Sequence, residues 1–425
     1  MSNNFWSPEQ AIQGLVSQTR TLQRPEAYEI IRSAIQALDQ DLFDLSHDIH
    51  AHPELKFEES HAHDVLTAFM EKQGFTVTRH HLLDTAWVAK YTRGTGGRVL
   101  GVNSEMDALP GIGHACGHNL IAIAGVAVAC GVKAAMDKLD IPGSVVLLGT
   151  PGEEGGAGKA ILLDKGAYEG LDACLMCHPA PGPPWSASLS GCLARQRIDV
   201  EFFGHTAHAA LSPWEGQNAL DAAVLAYTNI SLLRQQLKPT HRVHGIFEGK
   251  DWTPNIIPDY AKMVWYVRAP TRPEVDVAVK RIKACFEGAA MATGCRVKVE
   301  MGNGTFELRQ NKALGDDFAE VFSKTVGPVD YELGISHAST DFGNVTYAMP
   351  ALHPSFAIPT LGGNHTIAFT EAAASKEAHV ACLQISQALA MTGVRVLTDD
   401  EFLSKVRATF EEDVRAREQE RKSVQ

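Results

Sequence analysis

These 425 residues show no membrane-spanning run, no leader-like start and no basic block. A membrane helix needs roughly 18 consecutive apolar residues, and the longest candidate, Leu120 to Val132, stops at Lys133. Met1 to Gln10 has neither the basic nor the apolar stretch of a secretory signal, so none is expected. Lys and Arg number 38 against 50 Asp and Glu, a formal net charge of −12. Phosphate neutralisation supplies most affinity for nucleic acid, so an acidic chain without a basic block argues against that partner. Cysteine is scarce: eight residues scattered from Cys116 to Cys382 resemble no stapled scaffold. We expect reduced thiols and a cytoplasmic location. Internal repeats and low-complexity runs are also absent.

What is present is a globular composition, 45% hydrophobic, too long for one ordinary core. Helical apolar spacing covers Glu26 to His50 and Glu58 to Lys72. Strand patterns follow at Phe75–Arg79, Ala86–Tyr91 and Arg98–Val102. A small-residue helix over Asn119–Met136 precedes strand Ser144–Leu148, helix Ala157–Lys165 and strand Leu171–Cys177. Apolar strands alternating with helices predict an α/β domain on a mixed, largely parallel sheet. Near Gly191 the order becomes β-α-β-β-α-β: Leu193–Phe203, Glu215–Leu237, Val243–Glu248, Tyr260–Ala269, Arg272–Thr293 and Arg296–Glu300. That is the ferredoxin-like unit. The domains read as 1–190 and 306–425 for the α/β part, with 191–305 inserted as an α+β lobe. Helix Ala313–Val326, strand Pro350–Ile358 and helix Glu371–Thr392 complete the α/β part. The tail, Asp399 to Gln425, is a charged helix without an assigned function.

Four segments concentrate groups able to do chemistry. His114-Ala-Cys116-Gly-His118 lies between a strand and a helix, where a flexible turn can aim thiolate and imidazole at one ion. Gly152-Glu153-Glu154-Gly-Gly follows an apolar strand. One carboxylate there can ligate while the other faces substrate as a base, although a solvated acidic turn explains the pair equally well by itself. His178-Pro179 and Gly363-Asn-His365 complete the set. Each lone His is more simply a structural one. Three of the four segments nevertheless fall at or just beyond the carboxyl ends of expected strands, where open α/β sheets place their ligand crevice. Together Cys116, His118, Glu154, His178 and His365 are enough donors for two ions about 3.5–4 Å apart. Cys174-x-x-Cys177 is read as core packing, since positions i and i+3 of a strand face opposite ways. Trp185, Trp214, Phe247 and Trp252 are read as packing residues rather than a substrate pocket.

With these residues on the page, the chain resembles peptidase family M20, within its aminoacylase and amidohydrolase subgroup. The matching segments are His52-Pro-Glu-Leu55, Asp107-Ala-Leu-Pro110, His114 to His118, Glu153-Glu-Gly-Gly, His178-Pro179, Gly204 to Ala210, Asn255 to Pro258 and Gly363-Asn-His365. Gly111 to Ala122 is closer still to a branch associated with dipeptides such as β-alanyl-lysine. Asn119 departs from the Asp of many subgroup members, and Glu105 stands where they carry Asp and distant relatives a ligand His.

The resemblance implies an inserted lobe that forms a homodimer. It also implies two divalent ions, Zn²⁺ by the softness of a Cys ligand with Mn²⁺ as alternative. The metal ligands would be Cys116, His118, Glu154, His178 and His365. Glu153 would be the general base, Asp107 would orient a ligand, and His208 would hold the oxyanion, reaching into the partner subunit's site. Asn255 and Arg268 would hold the substrate's carboxylate or carbonyl end. The expected activity is hydrolysis of the amide bond of N-acyl amino acids or small dipeptides. A metal-binding relative without turnover, or an enzyme hydrolysing or condensing an unusual amide, are the alternatives.

Overall fold

The computed structural model describes residues 22–424, so the reading of Met1–Gln10 lies outside the described residues. The chain divides into two compact units. The first is the chain up to Cys192 together with Leu308–Arg415; the second is Leu193–Glu307 with the last ten residues.

The first unit is built on strands β1 (Thr76–Thr78), β2 (Trp87–Arg93), β3 (Arg98–Glu105), β4 (Gly143–Thr150), β5 (Ala173–Leu175), β6 (His178–Pro181) and β7 (Ala187–Ser188). The second contributes β8 (Ala194–Phe203), β9 (Arg242–Glu248), β10 (Tyr260–Ala269) and β11 (Arg296–Thr305). The chain then returns to the first through β12 (Val329–Asp330), β13 (Ala351–Leu352) and β14 (Ser355–Ile358). A six-stranded sheet runs β1-β2-β4-β3-β5-β13, parallel from β4 onward and antiparallel at β1 and β2. The mixed, largely parallel sheet expected from the alternation is therefore present.

Helix His118–Lys138 is buried nearly all round. It and Lys376–Thr398 are long and apolar enough to cross a membrane, which the count of unbroken apolar residues missed because isolated polar positions interrupt the runs. In the fold, 89% and 78% of their most apolar windows are buried, so they serve as core helices. Gly125 lets the first of them approach the sheet: an added Cβ would lie 2.2 Å from Ser104 Oγ and 2.8 Å from the Asn103 carbonyl.

Three expected elements are split. The first long helix breaks at Leu38 into Pro25–Ala37 and Asp39–Ala51. The Glu371–Thr392 helix becomes Ile367–Ala373 and Lys376–Thr398, because Ser375 caps the second by accepting from the Ala378 amide. Strand 350–358 divides between two sheets as β13 and β14, while its partner 171–177 holds β5 alone and is followed directly by β6 in the second sheet. The parallel ladder between them continues through the change, with the amides of Met176 and His178 donating to the carbonyls of Leu352 and Pro354. β6 and β14 then join β7 and β12 in a four-stranded sheet, and His178 is the first residue beyond the crossing.

In the second unit the four strands are antiparallel in the order β11-β8-β10-β9, with helices Ala219–Leu233 and Arg272–Thr293 on one face. Ile198, Val200, Phe202, Met263, Trp265 and Val267 alternate toward those helices and form the core. Trp252 and Phe247 pack against neighbours here, Trp252 donating to the Tyr260 carbonyl. Trp214 does not pack: it is 78% exposed on a surface turn, correcting its reading as a packing residue. The start of the tail helix Asp400–Val424 is anchored in the first unit by buried Phe402, Leu403 and Val406.

Replacing Gly125 by Ala tests the closeness of helix and sheet. Helix propensity alone favours Ala by about 1 kcal/mol. The new methyl instead meets a strand carbonyl that cannot swing away, so a net loss of about 1–2 kcal/mol is expected. A urea midpoint for G125A at or above that of the unsubstituted chain would refute this.

Candidate metal centre

Every donor of the candidate centre stands where an element ends. β3 ends at Glu105, and the loop after it carries Asp107 and Cys116. Gly117, with φ 78°, turns the chain into helix His118–Lys138; a Cβ there would strike Pro179 at 2.6 Å. β4 ends at Thr150, and Gly152 (φ 70°) and Gly155 (φ 85°) fold the next residues into a tight kinked turn bearing Glu153 and Glu154. His178 opens β6. His365 adopts φ 67°, an uncommon conformation for a side-chain-bearing residue. Its amide donates to the Ala115 carbonyl, which ties it to the Cys116 loop.

The five expected ligands converge. Donor atoms of Cys116, His118 and His178 lie within 4.8 Å of one another, as do those of Cys116, Glu154 and His365, and those of His118, Glu153 and Glu154. Cys116 belongs to two of these groups, as do His118 and Glu154. Cys116 Sγ is 3.4 Å from His178 Nε2, and His365 Nε2 is 3.1 Å from Glu154 Oε1. The inner side of the cluster is closed, with His118 fully buried, while the His365 side chain is 52% exposed. Access is therefore from the His365 side.

Asp107 organises the cluster as expected. Its Oδ1 is 3.0 Å from His118 Nδ1 and its Oδ2 accepts from the Glu154 amide at 2.8 Å. His118 Nε2 is thereby left to face the cluster. His114, by contrast, bonds the Ile49 carbonyl and is structural; burial lowers its pKa to about 3.

The electrostatics fit a pair of cations. Burial, with neighbouring His353, holds His178 well below the usual imidazole range, leaving a neutral donor. Burial and then Glu154 push the Cys116 thiol well up. A thiolate there needs positive charge close by. Burial would raise Glu154, but His365 and His118 outweigh it and hold the carboxyl at about 2. His118 Nε2 and Glu154 Oε1 are buried without a well-aligned hydrogen bond, though Glu105 Oε2 and His365 Nε2 approach within ion-pair distance. Burial would lower His118, but Glu105 and Asp107 outweigh it and hold the imidazole well above its usual range, so an ion there takes the place of its proton. A buried set of one thiol, two imidazoles and adjacent carboxylates with unmet lone pairs suits soft-to-borderline divalent ions.

Three participants were not legible in the sequence. Lys159 is fully buried and lies 2.5 Å from Glu105 and 2.7 Å from Asp341. Glu105 in turn reaches His118. Glu59 is also fully buried, accepting from Thr85 Oγ1 at 2.6 Å and from the Gly152 amide at 2.8 Å, which fastens the Glu153 turn. The departure at Asn119 has a structural reason: its amide donates to Ser46 Oγ and to the Ala373 carbonyl, two bonds a carboxylate cannot make. Cys174 and Cys177 are buried core thiols, Cys174 lying 3.1 Å from Asn103 Oδ1.

The second unit carries the remaining expected residues. His208 and Asn255 meet there: the Ala209 amide donates to the Asn255 carbonyl, and His208 bridges Ile256. His208 Nδ1 lies 3.2 and 3.1 Å from the amides of Ala210 and Leu211. Accepting from both fixes the tautomer with the proton on Nε2. Arg268 lies near the other end of β10, about 26 Å along the strand from Tyr260. One lobe therefore groups His208 with Asn255 but not with Arg268.

The model of peptidase family M20/M25/M40 matches residues 101–392. The chain belongs to peptidase family M20. Among M20 relatives, the Xaa-Arg dipeptidase of Homo sapiens is 43% identical over 386 residues, covering 86% of this chain and 88% of that protein. A p-aminobenzoyl-glutamate hydrolase chain of Escherichia coli (strain K12) is 32% identical over 317 residues, covering 70% and 65%. Two solved structures share the fold. A dinuclear metal binding M20 peptidase of Bacillus subtilis has TM-score 0.65 at 21% identity, covering 85% of this chain and 99% of that one. An aminobenzoyl-glutamate utilization protein of Klebsiella pneumoniae has TM-score 0.69 at 17%, covering 87% and 99%.

The Glu59 anchor gives a pH-dependent expectation. Burial, then the charge of Asp107, raises its pKa to about 6. A carboxyl raised in the folded state stabilises fully below its unfolded value and loses that contribution as pH rises through about 6, roughly 2 kcal/mol here. Glu59→Gln keeps an acceptor and does not ionise. Its stability relative to the unsubstituted metal-free protein should therefore improve by about that amount between pH 4.5 and 6.5. Urea denaturation giving a constant difference across that range would exclude the assignment.

Proposed function

We propose that this chain is a two-metal dipeptidase or amidohydrolase whose substrates are small dipeptides or N-acyl amino acids, with dipeptides ending in a basic residue favoured. The observation that carries the reading is the convergence of Cys116, His118, Glu154, His178 and His365 in interlocking groups beside Glu153. A dipeptide substrate is supported by the relatives named Xaa-Arg dipeptidase, at 43 and 44% identity. The net charge of −12 suits a cationic side chain.

The five donors would hold the two ions, and Zn²⁺ is favoured over Mn²⁺ by the thiolate. Bound there, such ions supply a water acidified toward neutrality and a Lewis acid for the amide oxygen. The chain's own residues do the rest. Asp107 keeps His118 Nδ1 engaged so that Nε2 points inward. Glu153 takes the proton of the attacking water and passes it to the leaving amine. His208 donates from Nε2–H to the oxyanion. Asn255 and Arg268 hold the substrate's carbonyl and carboxylate ends.

The separation of Arg268 from His208 supports a homodimer in which each lobe offers His208 and Asn255 to the partner subunit's centre. The turn after His208 carries Leu211 and Trp214, 72% and 78% exposed, an apolar surface suited to burial at such an interface. All eight cysteines are free and all but Cys285 are buried, which supports a reducing, cytoplasmic setting.

Two substitutions separate the roles. Glu153→Gln should retain its metal content while turnover of an Xaa-Arg dipeptide falls about 10²–10⁴-fold; wild-type-like hydrolysis would remove Glu153 as base. His208→Ala should lower kcat by about 10²–10³-fold, corresponding to roughly 3–4 kcal/mol, with an unchanged melting temperature. An unaltered kcat would take His208 out of the reaction.

A further inference from the structure

A second cluster of metal-type donors lies in the first unit and shares no residue with the centre described above. It is formed by Asp48, His52 and His61, whose donor atoms all fall within 4.8 Å of one another. Asp48 Oδ1 is 3.1 Å from His52 Nδ1, and Asp48 Oδ2 is 3.1 Å from His61 Nε2. The two imidazole rings are 4.4 Å apart. His52 Nδ1 is also 2.8 Å from the Asp48 carbonyl oxygen.

The arrangement is held in place by its surroundings. Asp48 is in the last turn of helix Asp39–Ala51, and His52 is its C-cap. The chain returns to His61 through Pro53 and Glu54. Glu54 clamps the start of helix Ser60–Lys72 by accepting from the amides of His61 and Ala62 at 2.8 and 3.0 Å. Both imidazoles therefore sit on helix ends whose separation is fixed by the half-buried Glu54 clamp rather than by a free loop.

Charge points the same way. A carboxylate in the last turn adds to the negative end of its helix, where cations are favoured. Among the described residues no Lys or Arg pairs with Asp48; its partners are the two imidazoles. Two imidazoles and one carboxylate are a donor set for divalent transition ions. A tetrahedral ion with ligands at 2.0–2.1 Å has donor-to-donor edges of about 3.3 Å; each imidazole already stands 3.1 Å from one oxygen of Asp48, and all three donors lie within 4.8 Å of one another. The side chains are 35–56% exposed, which leaves room for water to complete the coordination.

We propose that Asp48, His52 and His61 form a separate surface site for one divalent transition-metal ion of the zinc type. Each imidazole ligates as the neutral ring, its coordinating nitrogen offering the lone pair and its single proton standing on the other ring nitrogen, so the histidines keep their one proton and Asp48 supplies the anionic ligand. The site lies outside the catalytic machinery, so its loss leaves basal turnover unchanged.

The test measures metal uptake by the full chain. Equilibrium dialysis against Zn²⁺ at pH 7.5, with elemental analysis, is run on the unsubstituted protein, H61Q and D48N. Co²⁺ titration is run in parallel, because the thiolate of Cys116 marks the main centre by its charge-transfer absorption and the Asp48 site contains no sulfur. Both variants should bind one ion per chain fewer than the unsubstituted protein, with the thiolate–cobalt band intact. H52Q is a third variant should D48N fold poorly. Equal uptake in all forms would overturn the proposal, reducing the cluster to a pair of histidine–carboxylate hydrogen bonds. A thiolate band lost with H61Q would also overturn it, since the two sites would then not be separate. If the main centre takes no metal, the one-ion difference persists without the thiolate band, and that outcome counts against the proposed function alone.

Discussion

The centre depends on a single carboxylate. Asp107 is almost completely buried and uses its two oxygens on two different segments, His118 Nδ1 at 3.0 Å and the Glu154 amide at 2.8 Å. The first bond sets which imidazole nitrogen faces inward. The second sets the position of a turn that belongs to another strand. Parallel strands β3 and β4 lie side by side, and Asp107 converts that adjacency into a fixed relation between two ligands. A carboxylate is suited to this because it accepts along several directions and carries the charge that keeps an imidazole basic enough to ligate.

Behind His118 stands a layer of buried charge. Lys159 sits between Glu105 and Asp341, each fully buried, and its own amide donates to Asp341. Removing charges from water costs several kcal/mol per ion, and only good geometry with further hydrogen bonds offsets it. An apolar packing of similar volume would serve stability as well. What an apolar set cannot do is hold Glu105 Oε2 at 3.3 Å from His118 Nε2. Glu105 at this position is thus matched by Lys159 fifty-four residues on, and the pair makes sense only together.

Much of this was legible in the sequence, for identifiable reasons. Apolar alternation in β8 and β10 placed the lobe strands closely, because one face of each packs on helices and the other is polar. The five ligands were visible because each lies at the end of an apolar strand or in a glycine-bearing turn. Lys159 was not visible, since a lysine in a short helix reads as a surface residue and its partners lie far away in sequence. Glu59 was hidden likewise by its place at a helix start. The splitting of strand 350–358 and the new strand that opens at His178 could not be read, because periodicity reports burial and says nothing of which sheet receives the hydrogen bonds.

The inserted lobe poses a geometric question that its own chain answers only in part. The tautomer of His208 is fixed by two backbone amides, so its remaining N–H is a ready donor with no hydrogen-bond partner among the described residues. Asn255 is locked beside it by a short bridge between the two turns. A dipeptide spans under 10 Å, from about 3.5 Å of reach per residue. It cannot touch this donor pair and Arg268, which lies about 26 Å along β10 from Tyr260, while bound to one lobe. If all three residues serve hydrolysis, they must do so at two different centres, and two-fold association is the simplest arrangement that gives every centre one copy of each. The expected roles of the lobe residues and the expected dimer are therefore one hypothesis, and evidence against either weakens both.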